Sequence, residues 1–230
     1  MIDFINLPLR PDPSAYPVAL FLLTEFIKMA YRSGQTTQLP PKQGLMRAAA
    51  TVRKALHLDM YFSGLDDSLL LFTLFGDALY QPRLCTLFPD LMSKLFSTYC
   101  IPSCDNRIFE SYGDLVLYGI VLRWMMESFG PKLTPFQFNA IRRDLTSNIA
   151  LTELGFQLGM CQPLGLQSME NPHNVCSNAL ESLLGMLYYV YGEKGVPTIC
   201  EWFLEHPVVA EHLDSVREKY APGLQAGCKG

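Results

Sequence analysis

From Asp66 to Tyr220 the chain is a string of apolar segments of helix length, separated by short Gly, Pro or polar breaks, and this punctuation restricts its fold more than any other feature. Apolar positions recur at spacings of three and four, as on a helix with one face in a core, and strand-like alternation is nearly absent. The segments read as helices are Asp66 to Leu79, Leu91 to Tyr99, Ile108 to Ser128 stopped by Gly130-Pro131, Pro135 to Asp144, and Ser147 to Leu158 closed by Gly159. After a loop from Cys161 to Cys176 come Ser177 to Tyr191 closed by Gly192, Val196 to Glu205, and Val208 to Tyr220. The pattern predicts an all-α fold.

Upstream, Ser14 in an N-cap position, Pro17 in a first turn and Gly34 after the last apolar position frame a helix over Pro17 to Tyr31. A polar linker, Ser33 to Gly44, leads to a second helix over Leu45 to Leu58, with Leu45, Val52, Ala55 and Leu56 at helical spacing and Arg47, Arg53 and Lys54 forming a basic side. The expected organisation is an N-terminal helical extension over 1–65, a main helical domain over 66–207, and a C-terminal helix with a short tail over 208–230. The apolar run Val18 to Leu23 is far shorter than the ~20 residues needed to span a bilayer, so it reads as a core helix. No basic region precedes it, and Asp3 and Asp12 do not suit an Arg-rich transit peptide.

With 49% hydrophobic residues in 230, the chain can bury a full core without covalent staples. Its net charge of −4 argues against holding nucleic acid by bulk electrostatics, because such affinity comes from Lys and Arg displacing counterions; any RNA contact would be local or shared. Seven widely spread cysteines read as free thiols in an intracellular, reducing compartment, either cytoplasm or mitochondrion. Cys100 and Cys104 lack the second pair or nearby histidines that a structural zinc site needs.

Two apolar stretches carry oxygen ligands. Glu110 and Asp114, four apart, lie on one face of the first, and Asn178 and Glu181, three apart, do the same on the second. If the two helices face each other, three carboxylates and an amide oxygen converge. Such a cluster repels itself without a cation, and its oxygen donors suit Mg²⁺ or Mn²⁺. A cation there would activate a water and stabilise the leaving oxygen of a phosphodiester.

The wording of three ordered blocks resembles the ribonuclease III family over roughly Leu91 to Phe203, about half of the chain. NRIFESYGDLVL is similar to that family's signature helix, approximately ERLEFLGDAVL, through Glu110 and Gly113-Asp114. FQFNAIRRDLTSNIALTELGFQLGM is similar to a stretch like LTxLRAxLVSNxxLAxLAxxLGL, with Arg142, Leu145, Ser147, Asn148, Leu151, Leu154 and Gly159 in register. SNALESLLGMLYYVYG is similar to the second acidic helix, like ADALEALIGAIYLDGG, through Glu181 and Gly185. The departures are Arg107 and Ile108, where the family's first motif has glutamate and arginine, and Asn178, where an acid normally opens the second pair. An amide oxygen can ligate a metal or orient a water but cannot act as a base.

The resemblance implies a ribonuclease III-like helical domain and a metal-dependent endoribonuclease acting on double-stranded or structured RNA, leaving 5′-phosphate and 3′-hydroxyl ends. In that reading Glu110, Asp114 and Glu181 are catalytic and hold Mg²⁺ or Mn²⁺, with Asn178 as a further or outer ligand. It also implies a dimer, with itself or with another ribonuclease III-like protein, for which Phe109, Tyr112, Trp124 and Met125 are candidate contacts or else core residues. Arg142 and Arg143 are candidate RNA-phosphate contacts or a plain solvated pair, and Ser147 is a helix cap rather than a nucleophile. No double-stranded RNA-binding module is expected beyond Pro207, as in the Mini-III branch. The alternative is a catalytically inactive ribonuclease III-like subunit of a ribonucleoprotein, of the kind found in mitochondrial ribosomes and RNA-editing complexes.

Overall fold

The computed structural model describes residues 42–75, 89, 93, 97–99, 101, 106–130, 133–161 and 172–220. The expected helices over Pro17 to Tyr31 and Leu91 to Tyr99 and the C-terminal tail lie wholly or mostly outside these residues. All elements are helical: α1 (Lys42–Ala55), α2 (Leu58–Tyr61), α3 (Asp67–Phe75), α4 (Arg107–Phe129), α5 (Pro135–Thr146), α6 (Asn148–Gln157), α7 (Pro172–Glu205) and α8 (Pro207–Tyr220). The fold is all-α, and no strand occurs among the described residues. No described helix is long and apolar enough to cross a membrane.

α7 organises the rest. Its main neighbours are α4, α6 and α3, and the residues from Ala179 to Leu187 are buried on every side, apolar except for Glu181 and Ser182. The two segments expected over Ser177 to Tyr191 and Val196 to Glu205 are joined across a bend at Gly192, whose φ of 62° favours glycine.

Local chemistry sets the other boundaries. Thr134 and Gln137 form a capping box with Pro135 in the first turn of α5. Ser147 Oγ accepts from the Ala150 amide at 3.3 Å, so this serine is the α6 cap that its position predicted. Asn106, buried just before α4, donates through Nδ2 to the Thr73 carbonyl at 2.7 Å and ties the start of α4 to α3.

One apolar cluster runs from Leu45 to Val216, through all three segments into which the sequence divides the chain. In α1, Leu45, Ala48, Ala49, Val52 and Leu56 are buried at helical spacing. The end of α1 leaves carbonyls without intrahelical partners; Trp202 Nε1 donates to Leu56 O at 2.7 Å, and His206 Nε2 lies 3.1 Å from Ala55 O. Arg53 departs from the expected basic side: it binds Asp59 at 2.8 Å, the Leu65 carbonyl at 2.8 Å, and Asp67, so its charge is spent holding α1 to α2 and α3.

The expectation of free thiols also fails within the described residues, where Cys161 and Cys176 form a disulfide and only Cys200 is free. Spacing of 15 residues across a loop does not reveal a pairing; the packing of α6 against α7 brings the two cysteines together.

Candidate functional site at the crossing of α4 and α7

α4 and α7 meet antiparallel at two glycines. A Cβ placed on Gly113 would fall well inside contact distance of the Glu181 carbonyl, and one on Gly185 would do the same to the Phe109 carbonyl. The relation is reciprocal, since Phe109 lies four residues before Gly113 and Glu181 four before Gly185. Each helix therefore presses its backbone into the gap made by the other's missing side chain. Phe109, fully buried, packs edge-on against Phe72 and Tyr189, with ring centroids 6.0 and 5.4 Å away, and locks the crossing on its α3 side.

This contact carries Glu181 to Asp114 and Glu110. Glu181 is 8% exposed. Burial first, then the charge of Asp114 and that of Glu110, raise its pKa to about 7. Asp114 is exposed and Glu110 half-buried, so the group runs from solvent into the helix interface. Of the three carboxylates expected from sequence to converge, Glu181 thus feels the charges of the other two.

The cluster is not a closed cage. Among the described residues, no group of three or more His, Cys, Asp or Glu side chains is gathered as a metal-ion site. The donor chemistry still suits a hard cation, because Mg²⁺ commonly takes one or two carboxylates and keeps several waters. Asn178 is half-buried on the same helix as Glu181, one turn earlier, and its Oδ1 accepts from Ser177 Oγ at 3.4 Å.

Arg142 and Arg143 lie on α5, which packs against α4, α6 and α8. Beside them Asp144 binds Lys219 at 2.7 Å and Tyr220 at 2.8 Å, an anchor for α8. Arg143 is exposed, and its charge helps to lower the Asp144 pKa after the larger effect of the Lys219 hydrogen bond. No described contact connects either arginine with the acids.

The dimer candidates are corrected in part. Phe109, Trp124 and Met125 are buried in the chain's own core, and Tyr112 is half-buried against Tyr188. The open apolar face of α4 is instead Leu115, Tyr118, Leu122 and Met126, exposed by 62, 41, 36 and 54%. Their spacing of three, four and four was available in sequence, but α4 carries apolar residues on every side, so periodicity alone could not say which stripe faces inward. No protein-family model matches the chain, and no curated protein or solved structure is detectably similar to it.

Proposed function

We propose that the chain is a metal-dependent endoribonuclease that hydrolyses double-stranded or structured RNA, with Glu110, Asp114 and Glu181 as its working acids. The observation that carries this reading is the burial of Glu181 against α4 beside two further carboxylates. Keeping a carboxylate there is costly unless something offsets the cost, and a cation shared by Glu181 and Asp114 or Glu110 would do so. When bound, Mg²⁺ or Mn²⁺ supplies Lewis-acid activation of a water and of the scissile phosphodiester. Glu181 can hold or release a proton near neutral pH, Asp114 is exposed to solvent, and the Asn178 amide would orient a water without acting as a base. Arg142 and Arg143 are the proposed phosphate contacts outside the acids.

The family resemblance makes the functional unit a dimer, and Leu115, Tyr118, Leu122 and Met126 are the residues available for it. A Leu122→Glu substitution should then yield monomers in sedimentation, with the helical circular dichroism signal unchanged.

A second reading, a non-catalytic ribonuclease III-like subunit of a ribonucleoprotein, is favoured by Asn178 in place of an acid and by the open arrangement of the three carboxylates. Long duplex RNA with Mg²⁺ or Mn²⁺ separates the two. The first reading expects cleavage by the parent and a loss of at least roughly 100-fold in Glu181→Ala, the scale of removing a group that stabilises the transition state. Absence of cleavage with either cation, together with co-purification in a ribonucleoprotein particle, would establish the second.

A further inference from the structure

We propose that Cys161 and Cys176 form a thiol–disulfide latch that holds the first turns of α7, and with them Asn178 and Glu181, against the end of α6. The two Cα atoms are 5.9 Å apart, a separation that a disulfide spans without backbone movement, and both residues are fully buried. The sulfurs sit in a notch of α6. A Cβ on Gly155 would lie 2.6 Å from Cys176 Sγ and 3.3 Å from Cys161 Sγ, and Cys176 Sγ is 3.9 Å from the Thr152 carbonyl. This glycine is therefore required by the sulfur pair, as Gly113 and Gly185 are required by the helix crossing.

The position of the latch gives it leverage. Cys176 precedes Asn178 by two residues and Glu181 by five, about 7.5 Å along a helix. Glu181 lies at the crossing itself, where its carbonyl abuts Gly113 of α4. On the C-terminal side of Glu181, the Gly185 contact holds α7 against α4. On the N-terminal side the holding element is the bond to Cys161, four residues beyond the end of α6.

The exchange needs a low-molecular-weight disulfide, RSSR. One protein thiolate attacks it and releases RSH, and the second protein thiolate displaces the other RSH. One external S–S bond breaks, one protein S–S bond forms, and the two thiol protons end on the two RSH molecules. A small dithiol runs the sequence backwards. The latch affects cleavage only if Glu181 works as proposed above, so its test uses neither RNA nor a cation.

The experiment takes the full chain purified without reductant, alkylates it, maps its cysteines by mass spectrometry, and measures melting and amide hydrogen exchange before and after a dithiol. We expect Cys161 and Cys176 to resist alkylation and to appear as a cross-linked peptide pair. Reduction should lower Tm by roughly 6–12 °C, from the loop-closure effect of a 15-residue span in a chain of this size. It should also raise exchange across Asn178–Glu181 at least tenfold, with the amides of Val116–Met125 little changed. A Cys161→Ala, Cys176→Ala double variant should match the reduced protein and ignore the dithiol; if it does not fold, reduction of the parent decides alone. Alkylation of both cysteines in the untreated protein overturns the latch. So does a reduction that leaves exchange at Asn178–Glu181 unchanged.

Discussion

The two ends of α7 solve the same packing problem by opposite means. Near its start, where it crosses α4, contact is backbone on backbone through Gly113 and Gly185, and the side chains beside it are acids, from exposed Asp114 to buried Glu181. Near its end, where it meets α1, contact is made by large side chains: Trp202 and His206 reach the terminal carbonyls of α1, and Phe62 stacks edge-on against Trp202 at 5.9 Å. The first joint tolerates no added atom but leaves room for charge above it. The second is filled by a tryptophan and tolerates little removal.

The joints also differ in their response to protons. Glu181 keeps its proton up to about pH 7 in the fold, whereas an unfolded glutamate gives it up nearer 4.5. Between those values the unfolded chain binds fewer protons, so the α4–α7 joint loses stability as pH rises through the window. His206 behaves in the reverse sense. Burial first, with the nearby His57 charge, lowers its pKa, and its Nδ1 is buried without a partner. The unfolded chain therefore binds the extra proton first, and the α1–α7 joint loses stability as pH falls below 6.5.

The largest effect should come from Gly113→Ala or Gly185→Ala. Each puts a methyl group into a backbone carbonyl that cannot move without separating the helices, so a loss of about 3 kcal/mol or more is expected in urea denaturation. Gly119→Ala is the control, because nothing lies within 4 Å of its Cβ position; there the change should be neutral or stabilising by roughly 0.5–1 kcal/mol. Equal losses at Gly113 and Gly119 would refute the backbone crossing.

Glu181→Gln removes the buried charge and keeps the shape. At pH 8 it should stabilise the protein by about 1–2 kcal/mol, a figure discounted for solvent screening of the partly open acids, and the effect should vanish below the unfolded value of 4.5. Millimolar Mn²⁺ should raise the melting temperature of the parent but not of this variant. At the other joint, Trp202→Phe preserves most of the ring but leaves the Leu56 carbonyl without its donor, for a loss of roughly 1–2 kcal/mol. The smallest effect belongs to His206→Gln, which keeps a donor for Ala55 and should flatten the decline in urea midpoint on acidification below pH 6.5. A variant with the parent's acid sensitivity would move that sensitivity to another group.

Much of this arrangement was legible in the chain. The spacing Glu110–Asp114 and the position of Glu181 place the acids on single helix faces, and Ser147 and Thr134-Pro135 announce the starts of α6 and α5, because these signals are local. What was illegible is what depends on a partner. α4 offers apolar residues on every side, so nothing in its own order told Phe109 and Trp124, which are buried, from Leu115 and Met126, which are not. Arg53 reads as one of three surface bases until Asp59, Asp67 and the Leu65 carbonyl close around it.

The sequence by itself determined that the chain is all-α, where most helices begin and end, and which carboxylates share a face. Those properties follow from backbone hydrogen bonding and side-chain order within a few residues. Only the tertiary structure decided that Gly113 and Gly185 lie against each other's helix, that Glu181 is thereby buried beside Asp114 and Glu110, and that Cys161 is bonded to Cys176. These depend on which surfaces of α4, α6 and α7 meet, and that choice is made by the fit of whole helices, to which no short stretch of sequence corresponds.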